Sequence, residues 1–373
     1  MPMNTAPKSL NTDLKDDNFL SQEVDKLQKQ LEEAVIPPEL KENVRLMIRR
    51  VANLFGSAAY ASEYENASLY LDWVTCLPWD RRSEDNLDLD RARKILDVNH
   101  YGMEPVKERI LEYLAVINLQ DRKRKLKTEE EKKGKVHFRN NVIFLVGLPG
   151  IGKTSVAKSV AEALNKEFVR IPFGGMGSAV ILRGQSRVFP DAEPGLVIKS
   201  LRRAKTKNPL ILLDEIDRVA DSARAEIMGV LLELLDPEQN NEYRDHFIDY
   251  PFDLSEAMFI ATGNNTGGVA NAVLDRLEVI QMPSYTDQEK LAIARNYLFP
   301  KEMANVGLSE SDLQIDEDVW VDIIRPLGYD AGVRMLSRTI QGICRIVAKK
   351  IVLGEGKSFR VTTENVKEYL PKW

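Results

Sequence analysis

Three short runs hold residue types that act on a phosphate ester. "GLPGIGKT", from Gly147 to Thr154, fits the G-x-x-x-x-G-K-[ST] phosphate loop, and it stands between an apolar run and a helical pattern. Gly147, Gly150 and Gly152 let such a backbone curl until its N–H groups point inward at phosphate oxygens. A helix opening at Lys153 adds its positive end. Lys153 would reach the β and γ phosphates, and the Thr154 hydroxyl would bind Mg²⁺. Leu148, Pro149, Gly150, Ile151, Gly152, Lys153, Thr154 and Ser155 are therefore the expected nucleotide contacts. "LILLDEID", from Leu210 to Asp217, sets Asp214 at the end of an apolar run, where it could hold the Mg²⁺ shell. Glu215 beside it could orient and deprotonate a water. "FIATGNN" ends in Asn264, an amide suited to that water or to the γ phosphate. A turn role for Asn264 and Asn265 ahead of Gly267-Gly268 is the plainer alternative. Arg276 in "VLDRLEV" and Arg334 in "GVRMLSR" are the remaining candidates; spacing alone makes each a surface arginine.

The elements that must position these groups read as alternating strands and helices. Strands are expected at 142–146, 168–172, 209–213 and 257–262, with helices at 153–165, 194–204 and 222–235. This alternation implies a mostly parallel sheet covered on both faces, an α/β fold. Ahead of it, Leu27, Leu31 and Val35 share a helical spacing that Pro37-Pro38 ends. Leu40, Val44, Met47, Ile48, Val51 and Leu54 share a second. Beyond "MPSYT" strands nearly vanish, and 286–296, 317–325, 331–353 and 363–370 read as helices. The expected organisation is a mobile tail (1–20), a helical segment (21–80), an α/β domain (81–283) and a small helical domain (284–373).

Composition narrows the classes. An apolar content of 43% and a charged content of 29% are those of a globular chain. The greasiest run, Val142 to Val146, is strand-sized, which argues against a membrane span. The opening "MPMNTAPKSLNTDLKDDN" lacks a secretion signal, so a cytoplasmic location is expected. Cys76 and Cys344 are expected to be buried thiols, and three histidines without ligand spacing argue against zinc. A net charge of −5 argues against nucleic-acid binding as the main task. The run from Asp121 to Arg139 holds nine Lys/Arg and four Asp/Glu; a solvated loop is the plain reading and a polyanion patch the sharper one.

Phosphate loop, Asp-Glu strand, Asn strand, "LDRLEV" and a helical region with "GVRMLSR", in that order, resemble an AAA+ ATPase. Longer runs resemble the Lon family: "YLDWVTCLPW", "DNLDLDRARKILDVNHYGMEPVKERILEYLAV", "LLELLDPEQNNEYRDHFIDYPFDLS", "MFIATGNN" and "SYTDQEKLAIARNYL". The likeness extends from about residue 22 to the C-terminus, interrupted chiefly at 121–139. The resemblance implies an AAA+ P-loop NTPase with a parallel sheet, a helical lid behind it and an N-terminal helical segment ahead. It further implies ATP and Mg²⁺, with Lys153 and Thr154 as ligands, Asp214 in the metal shell, Glu215 as base and Asn264 as first sensor. Arg276 becomes a finger reaching a neighbour's nucleotide, Arg334 the lid sensor, and Tyr101 and Gly102 the adenine seat. The finger role implies a homo-oligomeric ring, normally a hexamer, acting on a polypeptide substrate.

Three departures qualify the resemblance. The family's pore loop carries an aromatic–aliphatic–Gly step; here Phe189 keeps the aromatic, while Pro190 and Asp191 replace the other two. A Gly-Asp-Pro step expected before "LLELLDPEQN" is replaced around Ala223 to Gly229. The family also continues into a serine–lysine peptidase domain, and no residue here matches the serine motif. The expectation is an ATPase that unfolds or translocates protein without cutting it, alone or with a peptidase on a separate chain. An ATP-dependent assembly or regulatory module is the alternative, as is the excised ATPase module of a longer protease; a natural short protein is the expectation.

Overall fold

The computed structural model describes residues 13–125, 142–325 and 332–370. Most of the basic run, from residue 126 on, lies outside them. Helix α1 (Asp13–Glu33) begins within the stretch expected to be a tail. It ends before Val35, which is 78% exposed and so is not part of the buried stripe its spacing suggested.

The chain forms two compact units, each assembled from separated stretches. One gathers Met1–Ser83, Ser178–Pro209 and Gly229–Met258; the other gathers Glu84–Gly177, Leu210–Met228 and Phe259–Trp373.

In the first unit, α2 (Pro38–Ala52) starts on a proline at its first turn, where no N–H is needed, and buries Leu40, Val44, Ile48 and Val51. Helix α3 (Tyr60–Cys76) buries Tyr60, Ala67, Tyr70, Leu71 and Val74. Trp79 follows, its ring tilted against Phe252 at a centroid distance of 5.0 Å and edge-on to Tyr250 at 5.9 Å. Its indole N–H donates to the Val74 carbonyl at 2.8 Å, so the large ring is buried without an orphan donor. Cys76 is exposed, not buried as expected; Cys344 is buried, and both thiols are free.

In the second unit, a five-stranded sheet has the order β2-β3-β6-β1-β7, with β1 at Val142–Val146, β2 at Phe168–Pro172, β3 at Leu210–Asp214, β6 at Met258–Gly263 and β7 at Leu277–Gln281; β4 (Tyr243–Arg244) and β5 (Pro251–Phe252) pair with each other in the first unit. Strands β1 and β3 are buried at every position, as continuous apolar runs in a parallel sheet should be. Strand β7 lies on the sheet edge, parallel to β1, with only Leu277 and Ile280 of its five residues buried. The sequence placed only a helix end there, because LEVIQ is neither a continuous apolar run nor a clean alternation.

The residues after 284 build their own apolar cluster around Trp320, Ile340, Ile343, Cys344 and Val347. The helix Arg334–Val352 supplies the largest part of it. The expected helix at 286–296 is an α-helix, Asp287–Ile293, closed at its start by a capping box between Thr286 and Glu289. A π-helical turn, Ala294–Leu298, joins it to a helix the sequence did not reveal, Phe299–Val306, with Pro300 in its first turn. A short parallel pair, Leu313–Ile315 with Phe359–Val361, is the only sheet among the described residues of this region.

Candidate functional site

Strand order is what assembles the site. Strands β3, β6 and β1 are neighbours, so in a parallel sheet their C-terminal ends lie along one edge, about 5 Å apart from strand to strand. Asp214 ends β3, Asn264 follows β6, and the phosphate loop follows β1. Residues separated by more than a hundred positions thereby become neighbours, at the edge where open α/β sheets bind ligands.

The phosphate loop turns on glycines with positive φ, +82° at Gly150 and +99° at Gly152, a conformation that would strain other residues. Gly147 has a different reason: a side chain there would meet the Met282 carbonyl at 2.7 Å. The helix Lys153–Ala163 starts directly behind. Lys153 is buried, and its ammonium donates to the carbonyls of Gly147 (2.5 Å) and Leu148 (3.0 Å) and to Asn264 Oδ1 (3.1 Å). Burial lowers its pKa, while Asp217, Asp214 and Glu215 oppose that shift. Ile151 is buried; Leu148, Pro149, Thr154 and Ser155 are exposed. The Ser155 hydroxyl donates to the Gly152 carbonyl at 2.8 Å.

Asp214 is buried. Its Oδ1 accepts from the Thr262 hydroxyl and its Oδ2 from the Arg170 guanidinium at 2.6 Å. Oδ2 also lies 2.6 Å from Arg170 Nη2, whereas Oδ1 keeps a further lone pair, through which the carboxylate can still accept from a metal-bound water. Glu215 sits in the left-handed region at φ +58°, an uncommon place for a side chain of its size, with its N–H donating to Thr262 Oγ1 at 3.0 Å. That turn swings Glu215 out of line with the strand, beside Gly174, where an added Cβ would lie 2.7 Å from Glu215 Oε2.

Asn264 is joined to Lys153 and is also held from behind. Its backbone N–H donates to Asp217 Oδ2 at 3.0 Å, and the Asn265 N–H to the same oxygen at 3.3 Å. Its side-chain Nδ2 is buried without a partner. A buried donor left unmade costs about 1–3 kcal/mol, so this amide is incomplete without an acceptor. A γ-phosphate oxygen is such an acceptor. With the left-handed glycines and the buried ammonium, that orphan donor makes the site fit a nucleotide triphosphate.

Two further candidates are near this loop. Gly332, Val333 and Arg334 lie against Gly150: the Val333 N–H donates to the Gly150 carbonyl at 3.1 Å, and a Cβ added to Gly150 would stand 3.1 Å from Arg334 Cβ. Tyr101 is 39% exposed, and Gly102 has φ +65°. Buried Tyr285 lies within 3.3 Å of the Ile151 carbonyl, to which its hydroxyl donates, and within 3.8 Å of Met103 Sδ, tying the 101–103 segment to the loop.

Arg276 is not part of this group. Its carbonyl accepts from Val142 N–H, at the start of β1, whereas the phosphate loop follows the end of that strand. Four residues of strand span about 13 Å. The guanidinium folds back to the Ala272 carbonyl at 3.0 Å. Phe189 belongs to the other unit, on an exposed loop.

Nothing in the motifs marks Arg170, Asp217, Thr262 or Tyr285 for a role. Asp217 and Thr262 lie inside the quoted motifs, three positions after Asp214 and two before Asn264, but only strand pairing shows what they hold.

Comparison with known proteins agrees with this geometry. The profile of the ATPase family associated with various cellular activities (AAA) matches residues 143–285, and that of the Lon protease AAA+ ATPase lid domain matches residues 304–359. The chain is a Lon-like AAA+ ATPase module. Relatives of this Lon-like module include "Lon protease 2" of Thermus thermophilus, 42% identical over 353 residues, covering 94% of this chain and 43% of the relative. "Lon protease" of Desulforamulus reducens is 42% identical over 340 residues (91% and 40%), and "Lon protease 1" of Bacillus subtilis 40% identical over 365 (98% and 45%). The module thus spans less than half the length of these relatives. No helix among its described residues is long and apolar enough to cross a membrane, and no cluster of metal-ligating side chains occurs among them.

Proposed function

We propose that this module hydrolyses ATP with Mg²⁺ in a ring of copies and uses the energy to unfold or translocate polypeptide. The observation that carries the reading is the sheet edge where Lys153, Asp214, Glu215 and the half-satisfied Asn264 meet the phosphate loop. In this reading Lys153 exchanges its loop carbonyls for the β and γ phosphates. Thr154 and Asp214 hold Mg²⁺, which neutralises charge on the phosphates when bound. Glu215, turned out of the strand, orients a water and takes its proton. Asn264 donates its free amide N–H to the γ phosphate or to that water, and Tyr101 and Gly102 seat the adenine. Arg334 reaches the phosphates from the lid region.

Arg276, at the opposite sheet end, serves the nucleotide of another copy. Such a finger contributes roughly 10³–10⁵ in rate where it acts, so isolated copies should turn over slowly. A hexamer, a cytoplasmic location and a protein substrate, directly or alongside a peptidase, go with the family. No peptide-bond cleavage is assigned to these residues.

Glu215→Gln tests the reading: it should abolish hydrolysis and leave ATP binding intact. Unchanged turnover in that variant would end it. A second reading, an assembly or regulatory module that does not move protein, draws on Pro190 and on Asp191, which occupies the left-handed region at φ +58°. Under that reading Phe189→Ala would leave protein-stimulated hydrolysis unaltered; under the first it would abolish the stimulation.

A further inference from the structure

The loop from Gly184 to Gly195 in the first unit carries an exposed apolar tip, Val188 and Phe189, 85% and 55% accessible. Its neck is closed by the Gln185 N–H donating to the Glu193 carbonyl at 3.0 Å. Beneath the neck lies Asp245, fully buried, whose Oδ2 accepts from the Gly195 N–H at 2.7 Å. Its Oδ1 accepts from Phe247 N–H (2.8 Å) and Ile248 N–H (3.1 Å). Gly184 has no room for a side chain, because a Cβ there would lie 2.9 Å from both Asp245 oxygens. One carboxylate thus ties the loop base to the 245–248 turn.

That turn is tied in its own right to helix α3. The Tyr70 hydroxyl donates to the Ile248 carbonyl at 2.9 Å, and its ring lies 6.3 Å from that of Phe247. A second contact of the same ring closes the path. Arg187, one residue before the tip, sets its guanidinium 3.8 Å from the Tyr70 ring centroid, with Met47 Sδ 3.7 Å from its Nη1. The contacts therefore form a circuit, from Tyr70 through Ile248 and Asp245 to the loop base, and from the loop tip through Arg187 back to Tyr70. A loop held only at its base can pivot; one held at base and tip cannot.

We propose that Tyr70 of the N-terminal helical segment is a positioning residue for the 184–195 loop, its ring acting through Arg187 to fix the direction in which Val188 and Phe189 face a polypeptide. The substrate part of this statement rests on the translocation reading above; the mechanical part does not. An arginine over a tyrosine ring contributes enough to change a local opening equilibrium by about three- to tenfold. The position of the tip is then set by a helix roughly 120 residues away in sequence.

Deuterium exchange of the amides from 186 to 193 tests the mechanical part. Arg187→Gln changes an exposed side chain, so the fold is retained and a melting curve verifies it. Exchange should accelerate about three- to tenfold in Arg187→Gln and in Tyr70→Leu, and the double variant should be no faster than the faster single one. Exchange unchanged in Arg187→Gln, or effects of the two substitutions that simply multiply, overturns the proposal. Protein-stimulated ATP hydrolysis supplies the second measurement, in which Arg187→Gln should raise the half-saturating protein concentration and leave the maximal rate alone. If exchange accelerates as expected but neither Arg187→Gln nor Phe189→Ala alters stimulation, the circuit stands and the translocation reading falls.

Discussion

One methyl group at Gly332 would test whether the lid-side residues control the nucleotide site. A Cβ there would lie 2.6 Å from the Gly150 carbonyl carbon and 2.7 Å from the carbonyl oxygens of Gly150 and Pro149. All three are backbone atoms of the phosphate loop, so no rotamer change can relieve the clash. Reaching an ordinary contact of 3.4 Å requires a relative shift of roughly 0.8 Å, and overpacking of this kind typically costs about 1–3 kcal/mol. The loop is held from this side by the bond from Val333 N–H to the Gly150 carbonyl, which the same shift would stretch. If nucleotide binding restores the unshifted loop, that cost is charged to the complex, and ATP affinity in Gly332→Ala should fall about 5- to 150-fold. The measurement is a fluorescent-nucleotide titration beside a melting curve. The control is Gly177→Ala, where an added Cβ meets nothing within 4 Å, and which should bind as the parent does. An affinity within twofold of the parent, with a lowered melting temperature, would refute the reasoning, because the strain would then be taken up away from the phosphate loop.

Three further outcomes follow from other contacts. Asp217→Ala removes the acceptor of the Asn264 and Asn265 amides, bonds worth about 1.5–3 kcal/mol each to a charged partner; turnover should fall at least tenfold while nucleotide affinity, from titration, changes far less. Gly229→Ala lies on the exposed side of the helix Arg224–Leu235 with open space for the methyl, and urea denaturation should show a gain of about 0.5–1 kcal/mol. His100 is buried against Ser159, and burial, with Lys107 nearby, pushes its pKa down to about 4. The unfolded chain then takes up the proton first, so stability is full above pH 6.5 and is lost as pH falls from 6.5 towards 4. The loss should reach about 2 kcal/mol at pH 5, and His100→Gln should flatten that part of the pH profile.

The sequence exposed what depends on local patterning. Strands β1 and β3 are unbroken apolar runs because both faces of the sheet are covered, and the phosphate loop announces itself because its glycines must take left-handed angles. Long runs of Lon-like text made the fold class and the nucleotide chemistry legible as well. Strand β7 escaped because a half-exposed edge strand, LEVIQ, carries neither an apolar run nor a clean alternation, and the helix Phe299–Val306 escaped because Pro300 looks like a breaker where it is a first-turn residue. Asp217, Thr262 and Arg170 escaped for a deeper reason. Each acts on a residue of another strand, and strand order is a property of the whole sheet. Arg276 shows the same limit from the other side: its place at the far end of β1 was invisible until the parallel pairing of β1 and β7 was known.

The first unit has a consequence in time. Its three stretches are made at different moments, and Tyr70 must await Ile248, 178 residues later. At about 5–20 residues per second of synthesis, helix α3 spends roughly 10–35 s outside the ribosome before its partner segment exists. Trp79 waits almost as long for Tyr250 and Phe252. During that interval Tyr70 and Trp79 lack the partners that cover them, so the nascent chain passes through a stage in which its N-terminal helices expose aromatic surface. A slower codon stretch between residues 84 and 177 would lengthen that exposure, and a faster one would shorten it.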